Sequence, residues 1–180
     1  MMSKIFFTSD THFYHANILK FCSGTRKYNN IEEHNESLIA IWNERVKPND
    51  VVYHLGDVAF ANVNNTLNIL NRLQGNINLI IGNHDKKLVK NAEFRKKFSS
   101  ISHYQELKIN GYNVVLFHFP IESWDRKHHG SIHLHGHTHS DEHHNYNNQI
   151  ENRMDVGVDA NPFNAPFTFE EVINTINTNG

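Results

Sequence analysis

The chain has 180 residues, with 17 Lys+Arg against 19 Asp+Glu, 15 His and one Cys. That length suits a single domain over 1–180 with an adequate core, and a formal net charge of −2 gives no electrostatic case for a DNA-coating protein. The lone Cys22 excludes a disulfide framework and a thiolate-built zinc module, so a metal site here would use imidazole and carboxylate.

In chain order, the apolar runs are short and rich in β-branched and aromatic residues. Ile5-Phe6-Phe7 leads into Thr8-Ser9-Asp10. Leu38, Ile39, Ile41, Trp42 and Val46 then recur with helical spacing after Glu32-Glu33, and Pro48 follows the stop. Val51-Val52-Tyr53 leads into His54-Leu55-Gly56-Asp57. A second helical pattern, Leu67, Ile69, Leu70 and Leu73, ends before Gly75. Leu79-Ile80-Ile81 leads into Gly82-Asn83-His84-Asp85, and Phe94 and Phe98 mark a shorter helix. Val114-Val115-Leu116-Phe117 leads into His118, and Ile132-His133-Leu134-His135 into Gly136-His137-Thr138-His139. Phe169, Val172, Ile173 and Ile176 predict a last helix, with Thr168 as N-cap and Glu170-Glu171 in its first turn.

Alternating strands and helices give an α/β start, and strands dominate after about residue 100. The expected class is α+β, with two sheets packed on each other and helices outside. Each of the five strand signatures stops at His, Asp, Asn or Gly. Polar residues at the carboxyl ends of strands line a common edge in open α/β sheets. The five ends therefore converge on one point, although they span residues 10 to 139. Gly56, Gly82 and Gly136 fall where backbone must turn sharply or approach closely. No apolar run approaches a membrane span, and MMSKIFFTSD turns polar too soon for a signal peptide. A cytoplasmic setting is expected.

Asp10-Thr11-His12, Gly56-Asp57, Gly82-Asn83-His84-Asp85, His118 and Gly136-His137-Thr138-His139, in that order, resemble the signature of the calcineurin-like metallophosphoesterases, in particular small bacterial and phage members. The resemblance implies a four-layer fold around a central β-sandwich and a binuclear metal centre. By it, Asp10, His12, Asp57 and His139 would hold one divalent ion. Asp57, Asn83, His118 and His137 would hold the other, with Asp57 bridging. It implies a metal-bridging hydroxide that attacks phosphorus in line. His84 would contact the phosphate and protonate the leaving oxygen, and Asp85 would accept the other ring N–H of His84. Imidazole and carboxylate donors suit Mn, Fe, Ni or Zn, and neutral His and Asn ligands leave the centre positive enough to attract a phosphate ester.

Other residues keep two readings. His15, in a H-x-N-I feature, is a substrate or supporting contact, or an ordinary surface His. Arg26 is a phosphate clamp or a solvated loop residue. His54 could hydrogen-bond behind Asp57. His133 and His135 are set aside as ligands, because Gly136 interrupts the alternation that would join them to His137 and His139. His128-His129 and His143-His144 read as a surface tract, Arg153 and Asp155 as structural, Cys22 as an inert core thiol. Trp42 and the Phe residues read as core first, with Phe119 and Trp124 as candidate pocket rim. The expected activity is phosphoester hydrolysis, diesters before monoesters. The alternatives are a nuclease, whose backbone contact would be Lys86-Lys87, Lys90 and Arg95-Lys96-Lys97, or a scaffold without catalysis. Specificity would lie in 13–30, 123–130 and 141–152, and the length leaves no room for a large cap domain.

Overall fold

Strand β1 (Ile5–Thr8) shows how the core is divided. Side chains alternate across a strand, so Phe6 joins one buried cluster and its neighbour Phe7 another. The structure, a computed structural model, describes residues 3–141, 143, 145 and 150–178. In it β1 lies in a five-stranded sheet with β2 (Val51–His54), β3 (Asn76–Ile80), β4 (Ser100–Ser102) and β9 (Phe167–Thr168). The order is β4-β3-β2-β1-β9, parallel except for the antiparallel β1–β9 pair. The second sheet holds β5 (Tyr104–Ile109), β6 (Tyr112–Phe117), β7 (Ile132–His135) and β8 (Arg153–Asp155) in chain order. Its β6–β7 and β7–β8 pairs are parallel and β5–β6 is antiparallel.

Phe6, Val52, Ile77 and Leu79 face outward from the first sheet and bury Leu38, Ile39 and Trp42 of α2 (Ile31–Arg45), Ile69 and Leu70 of α3 (Val63–Leu70), and Phe94 of α4 (Ala92–Arg95). Phe7 and Ile80 face inward onto Val114, Leu116, Ile132, Leu134 and Met154 of the second sheet. Phe169 and Val172 of α5 (Phe169–Thr178) join this inner cluster. The outer face of the second sheet carries the buried His133, packed on Trp124 of the 119–131 segment at 5.2 Å between centroids. Two mixed sheets flanked by helices match the expected class.

Local chemistry explains the element ends. Asn30 caps α2 by accepting from the Glu33 N–H at 2.8 Å. Thr168 and Glu171 form the reciprocal capping box at α5: Glu171 N–H donates to Thr168 Oγ1 at 3.1 Å, and Thr168 N–H to Glu171 Oε2 at 2.7 Å. Three features differ from expectation. The Phe94–Phe98 helix shrinks to one turn, with Phe98 beyond it but packed on Phe94 at 5.0 Å. A short helix α1 (Ile18–Phe21) sits in the 13–30 loop. The β5–β6 hairpin turns on Asn110-Gly111, at φ 49° and 90°, a two-residue turn signal that the strand reading did not use.

Candidate metal centre

The carboxyl ends of β1 and β2 continue side by side. Asp10 N–H donates to Gly56 O at 2.9 Å, His12 N–H to Asp57 O at 3.1 Å and Phe13 N–H to Val58 O at 3.0 Å. Five of the sequence candidates hold left-handed backbone: Asp10 (φ 56°), His12 (47°), Asp57 (57°), His137 (71°) and His139 (49°). Such a φ costs a residue with a Cβ about 1 kcal/mol or more. That cost recurs here at the strand ends that carry Asp and His. Gly136 serves by its size: a Cβ there would overlap Ser9 Oγ and Asp10 Oδ2.

The seven candidate ligands come together. Single ligand atoms of Asp10, His12 and His139 lie within 4.8 Å of one another, and so do those of Asp57, His118 and His137. Asp57 stands between the groups, with Oδ2 3.6 Å from both His12 Nε2 and His118 Nε2. Asn83 Oδ1 lies 3.0 Å from His118 Nε2. Asp10 Oδ1 and His12 Nε2 are buried and have no hydrogen-bond partner. An orphaned buried acceptor costs about 1–3 kcal/mol, which a cation would relieve. The other ends of these side chains are held: Asp10 Oδ2 accepts from His137 N–H at 2.8 Å, and Asp57 Oδ1 from His84 N–H at 2.9 Å.

Hydrogen bonds also set the imidazole tautomers. His118 Nδ1 is 2.6 Å from Leu55 O and must donate to it. Its Nε2 then presents a lone pair toward the oxygens of Asp57 and Asn83, an arrangement of acceptors that a cation would satisfy. His139 Nδ1 donates to Asp159 Oδ2 at 2.9 Å, which turns Nε2 toward Asp10 Oδ1 at 3.8 Å. Carboxylates orient metal-binding histidines in this way. His12 Nδ1 meets His15 Nδ1 at 3.2 Å, so His15 is the partner that leaves His12 Nε2 facing the carboxylates. Histidine and Asn donors with two carboxylates fit a borderline divalent ion.

Asp85 departs from its expected role. Its carboxylate accepts from Asp57 N–H (2.8 Å), Val58 N–H (3.0 Å) and Gly82 N–H (2.9 Å), and it is fully buried. It ties the β2 and β3 ends together beneath Asp57 and does not orient His84, whose side chain lies at the solvent-exposed edge with Nε2 3.8 Å from Asp57 Oδ2. Arg26 is neither a phosphate clamp nor solvated. Its five N–H donors are all used, and it is buried: on Asp159 Oδ1 (2.9 Å) and Oδ2 (2.6 Å), Asp10 O (2.6 Å), Thr11 O (3.1 Å) and His34 Nε2 (3.2 Å). His54 does lie behind the ligand loops, with Nε2 on Thr11 Oγ1 at 2.9 Å and Nδ1 accepting from Gly56 N–H at 3.2 Å. Cys22 is half-buried beside His139 and Asp159, not in the core. Phe119 rims the site against His118 (4.8 Å) and His137 (4.6 Å), whereas Trp124 is buried. His128 and His129 are exposed, and His144 lies outside the described residues, as do 142 and 146–149 within the 141–152 stretch.

Sequence reasoning missed Asp159, the partner of both Arg26 and His139. Its signal was present: Val156-Gly157-Val158-Asp159 has the same apolar-run-then-Asp form as the other strand ends. Burial raises the Asp10 carboxyl, but the neighbouring His12, His139 and His118 imidazoles outweigh it and hold Asp10 well below the usual range. Burial opposes protonation of His139, yet Asp159, Cys22 and Asp10 push it up to about 10. Asp155, buried and facing the Asp10 charge, is raised to about 7.

His133 gives a test away from the ligands. Burial lowers it to about 4, against the Val115 and Phe119 carbonyls, which raise it. The unfolded chain takes up that proton near the ordinary 6.5 and the folded chain does not, so the group removes stability as pH falls below 6.5. From pH 6.5 to 5 the loss is about 2 kcal/mol, at roughly 1.4 kcal/mol per unit. Urea unfolding of wild type and His133→Gln at pH 7 and 5 should show the gap moving by that amount in the variant's favour. A pH-independent gap would contradict it.

A two-sheet sandwich with His, Asp and Asn gathered at one edge makes this a candidate metal centre. Residues 3–156 match the calcineurin-like phosphoesterase superfamily domain, and the chain belongs to that family. An uncharacterized protein of Methanocaldococcus jannaschii is 40% identical over 141 residues, 77% of this chain and 71% of that protein. A solved structure of a protein of unknown function from Aquifex aeolicus superposes with a TM-score of 0.74 at 25% identity, covering 97% of this chain and all (100%) of that one. A structure described as a novel archaeal phosphodiesterase shares the fold, with a TM-score of 0.52, 19% identity and coverage of 86% and 82%. Among the described residues no helix is long and apolar enough to cross a membrane.

Proposed function

We propose that the protein hydrolyses phosphodiesters at a centre of two divalent cations. Asp10, His12, Asp57 and His139 hold one, and Asp57, Asn83, His118 and His137 the other. The observation that supports this best is Asp57 Oδ2, equidistant at 3.6 Å from an imidazole nitrogen of each group. Two cations bound there would polarise the phosphoryl oxygens and activate water. The candidates are Mn, Fe, Ni and Zn.

The chain's own groups do the rest. Asp85 and the Leu55 carbonyl hold Asp57 and His118, while Asp159 and His15 hold His139 and His12. His84, anchored through its backbone N–H on Asp57 and open at its ring, delivers a proton to the leaving oxygen as water adds to phosphorus and the P–O ester bond breaks. The diester preference draws on the open site and on the archaeal neighbour described as a phosphodiesterase.

Bis-p-nitrophenyl phosphate and p-nitrophenyl phosphate, assayed across Mn, Ni, Zn and Mg, test the reading. Hydrolysis of the diester should be the faster. His84→Ala should lose on the order of 10²–10⁴-fold with an alkyl leaving group and much less with p-nitrophenolate, which needs no proton. Equal losses would assign His84 to phosphate binding instead. Inactivity with every ion on a broad ester panel would favour the scaffold.

A further inference from the structure

An aromatic ridge borders the site, and the proposed chemistry leaves it unused. Phe60 stacks on His15 with centroids 4.6 Å apart and planes at 22°, and meets His84 edge-on at 5.3 Å. Phe21 approaches the same His15 imidazole edge-on at 6.1 Å. Yet Phe60 is 53% exposed and Phe21 73%. Single exposed apolar residues are ordinary; two flanking one imidazole at a candidate active site are not scattered. The backbone fixes Phe60, whose N–H donates to Phe13 O at 2.8 Å beside the Phe13–Ala59 bridge. A cavity of about 470 Å³ opens next to it, lined by Phe60, Asn83, His84, Lys86, Lys87 and Leu88 among others. Lys86 and Lys87 are exposed. One concavity thus joins a partly exposed phenyl ring, two ammonium groups and the group assigned to leaving-group protonation.

We propose that this concavity is a nucleoside subsite, so that the substrates are nucleoside phosphodiesters with one base packed on the exposed part of the Phe60 ring and, in longer strands, an adjoining phosphate on Lys86 and Lys87. The inference rests on the preceding reading, which puts the scissile phosphate at the metal ligands. The two halves select this class together. An alkyl or glycerol diester has no ring for Phe60, and an uncharged aromatic alcohol has no anion for the lysines. Base–aromatic stacking accepts any base, so the subsite favours nucleoside over alkyl diesters without reading sequence.

A cycle of variants tests it. Thymidylyl-thymidine is compared with the two analogues in which one or the other base is replaced by hydrogen. Removing one of the bases should lower kcat/KM of the wild type on the order of tenfold, the worth of a stack. In Phe60→Ala the same removal should cost nothing, because the losses are not additive for groups in contact. Phe60→Trp should keep the base effect. Base removal that costs the wild type nothing, or costs Phe60→Ala as much, overturns the proposal.

A binding arm separates this from failure of the hydrolase reading. Anisotropy of a fluorescent thymidine tetramer and of an abasic tetramer with equal phosphates needs no turnover. Tighter binding of the thymidine strand, lost in Phe60→Ala, supports the subsite even if no ester is cleaved. Lys86→Ala with Lys87→Ala should weaken both strands and flatten their salt dependence. Equal affinity for both strands in the wild type overturns the subsite while leaving hydrolysis to be judged by its own assay.

Discussion

Asp57→Asn is expected to abolish metal-dependent hydrolysis of bis-p-nitrophenyl phosphate, by on the order of 10³-fold or more. The reason is position. Oδ2 faces Nε2 of His12 and His118 at 3.6 Å and of His84 at 3.8 Å, so one buried oxygen lies between both candidate ligand groups. Metal assistance supplies several kcal/mol of transition-state stabilisation, at about 1.4 kcal/mol per tenfold. The amide keeps the shape and the acceptor for His84 N–H but removes the charge that would offset the two proposed cations. Metal analysis should show fewer ions per chain, and thermal unfolding in chelator should be close to wild type. Full activity of Asp57→Asn with added Mn²⁺ would remove the bridging assignment.

The largest stability loss is expected from Arg26→Ala. Arg26 and Asp159 form a bidentate pair with both side chains fully buried. Deleting the cation removes the one permanently charged partner among the three groups, His139, Arg26 and Thr25, that hold the buried Asp159 carboxyl well below its usual pKa, and leaves that carboxylate on His139 and Thr25 alone. Breaking such a pair costs roughly 3–5 kcal/mol, more than the pair itself is worth. Arg26 also bonds the Asp10 and Thr11 carbonyls, so the β1 loop should loosen with it. The Arg26→Ala/Asp159→Asn double variant should recover part of the loss, since no buried charge is left alone. Urea unfolding reads both. Asp159→Asn should in addition weaken one metal by about 10–100-fold, through His139. A single Arg26→Ala within about 1 kcal/mol of wild type would show that water or a neighbour takes over the carboxylate.

Much of the site was legible because its candidate ligands lie at the carboxyl ends of apolar runs, and those runs are local features. Asp10, Asp57, Asn83, His118, His137 and His139 follow strands whose alternation or hydrophobicity marks them. Supporting residues were less legible because their partners are distant in sequence. Arg26 and Asp159 are 133 residues apart, and no spacing rule links them. Asp85 misled for a related reason. A carboxylate beside a catalytic candidate invites pairing with it, but the chain folds so that three backbone N–H groups reach that carboxylate first.

Composition and alternation were enough to determine the α+β class and which ligand types are available, because each is a property of neighbouring residues. The family entered as a resemblance of the ordered Asp, His and Asn segments and is shown by the match over residues 3–156. The tertiary structure alone decided that Asp85 ties the β2 and β3 ends beneath Asp57, that Arg26 is buried against Asp159, and that Phe60 is half-exposed beside His84. Those facts depend on which strand ends meet and at what distance. Electrostatics, burial and stacking act between groups brought together in space, whatever their separation along the chain.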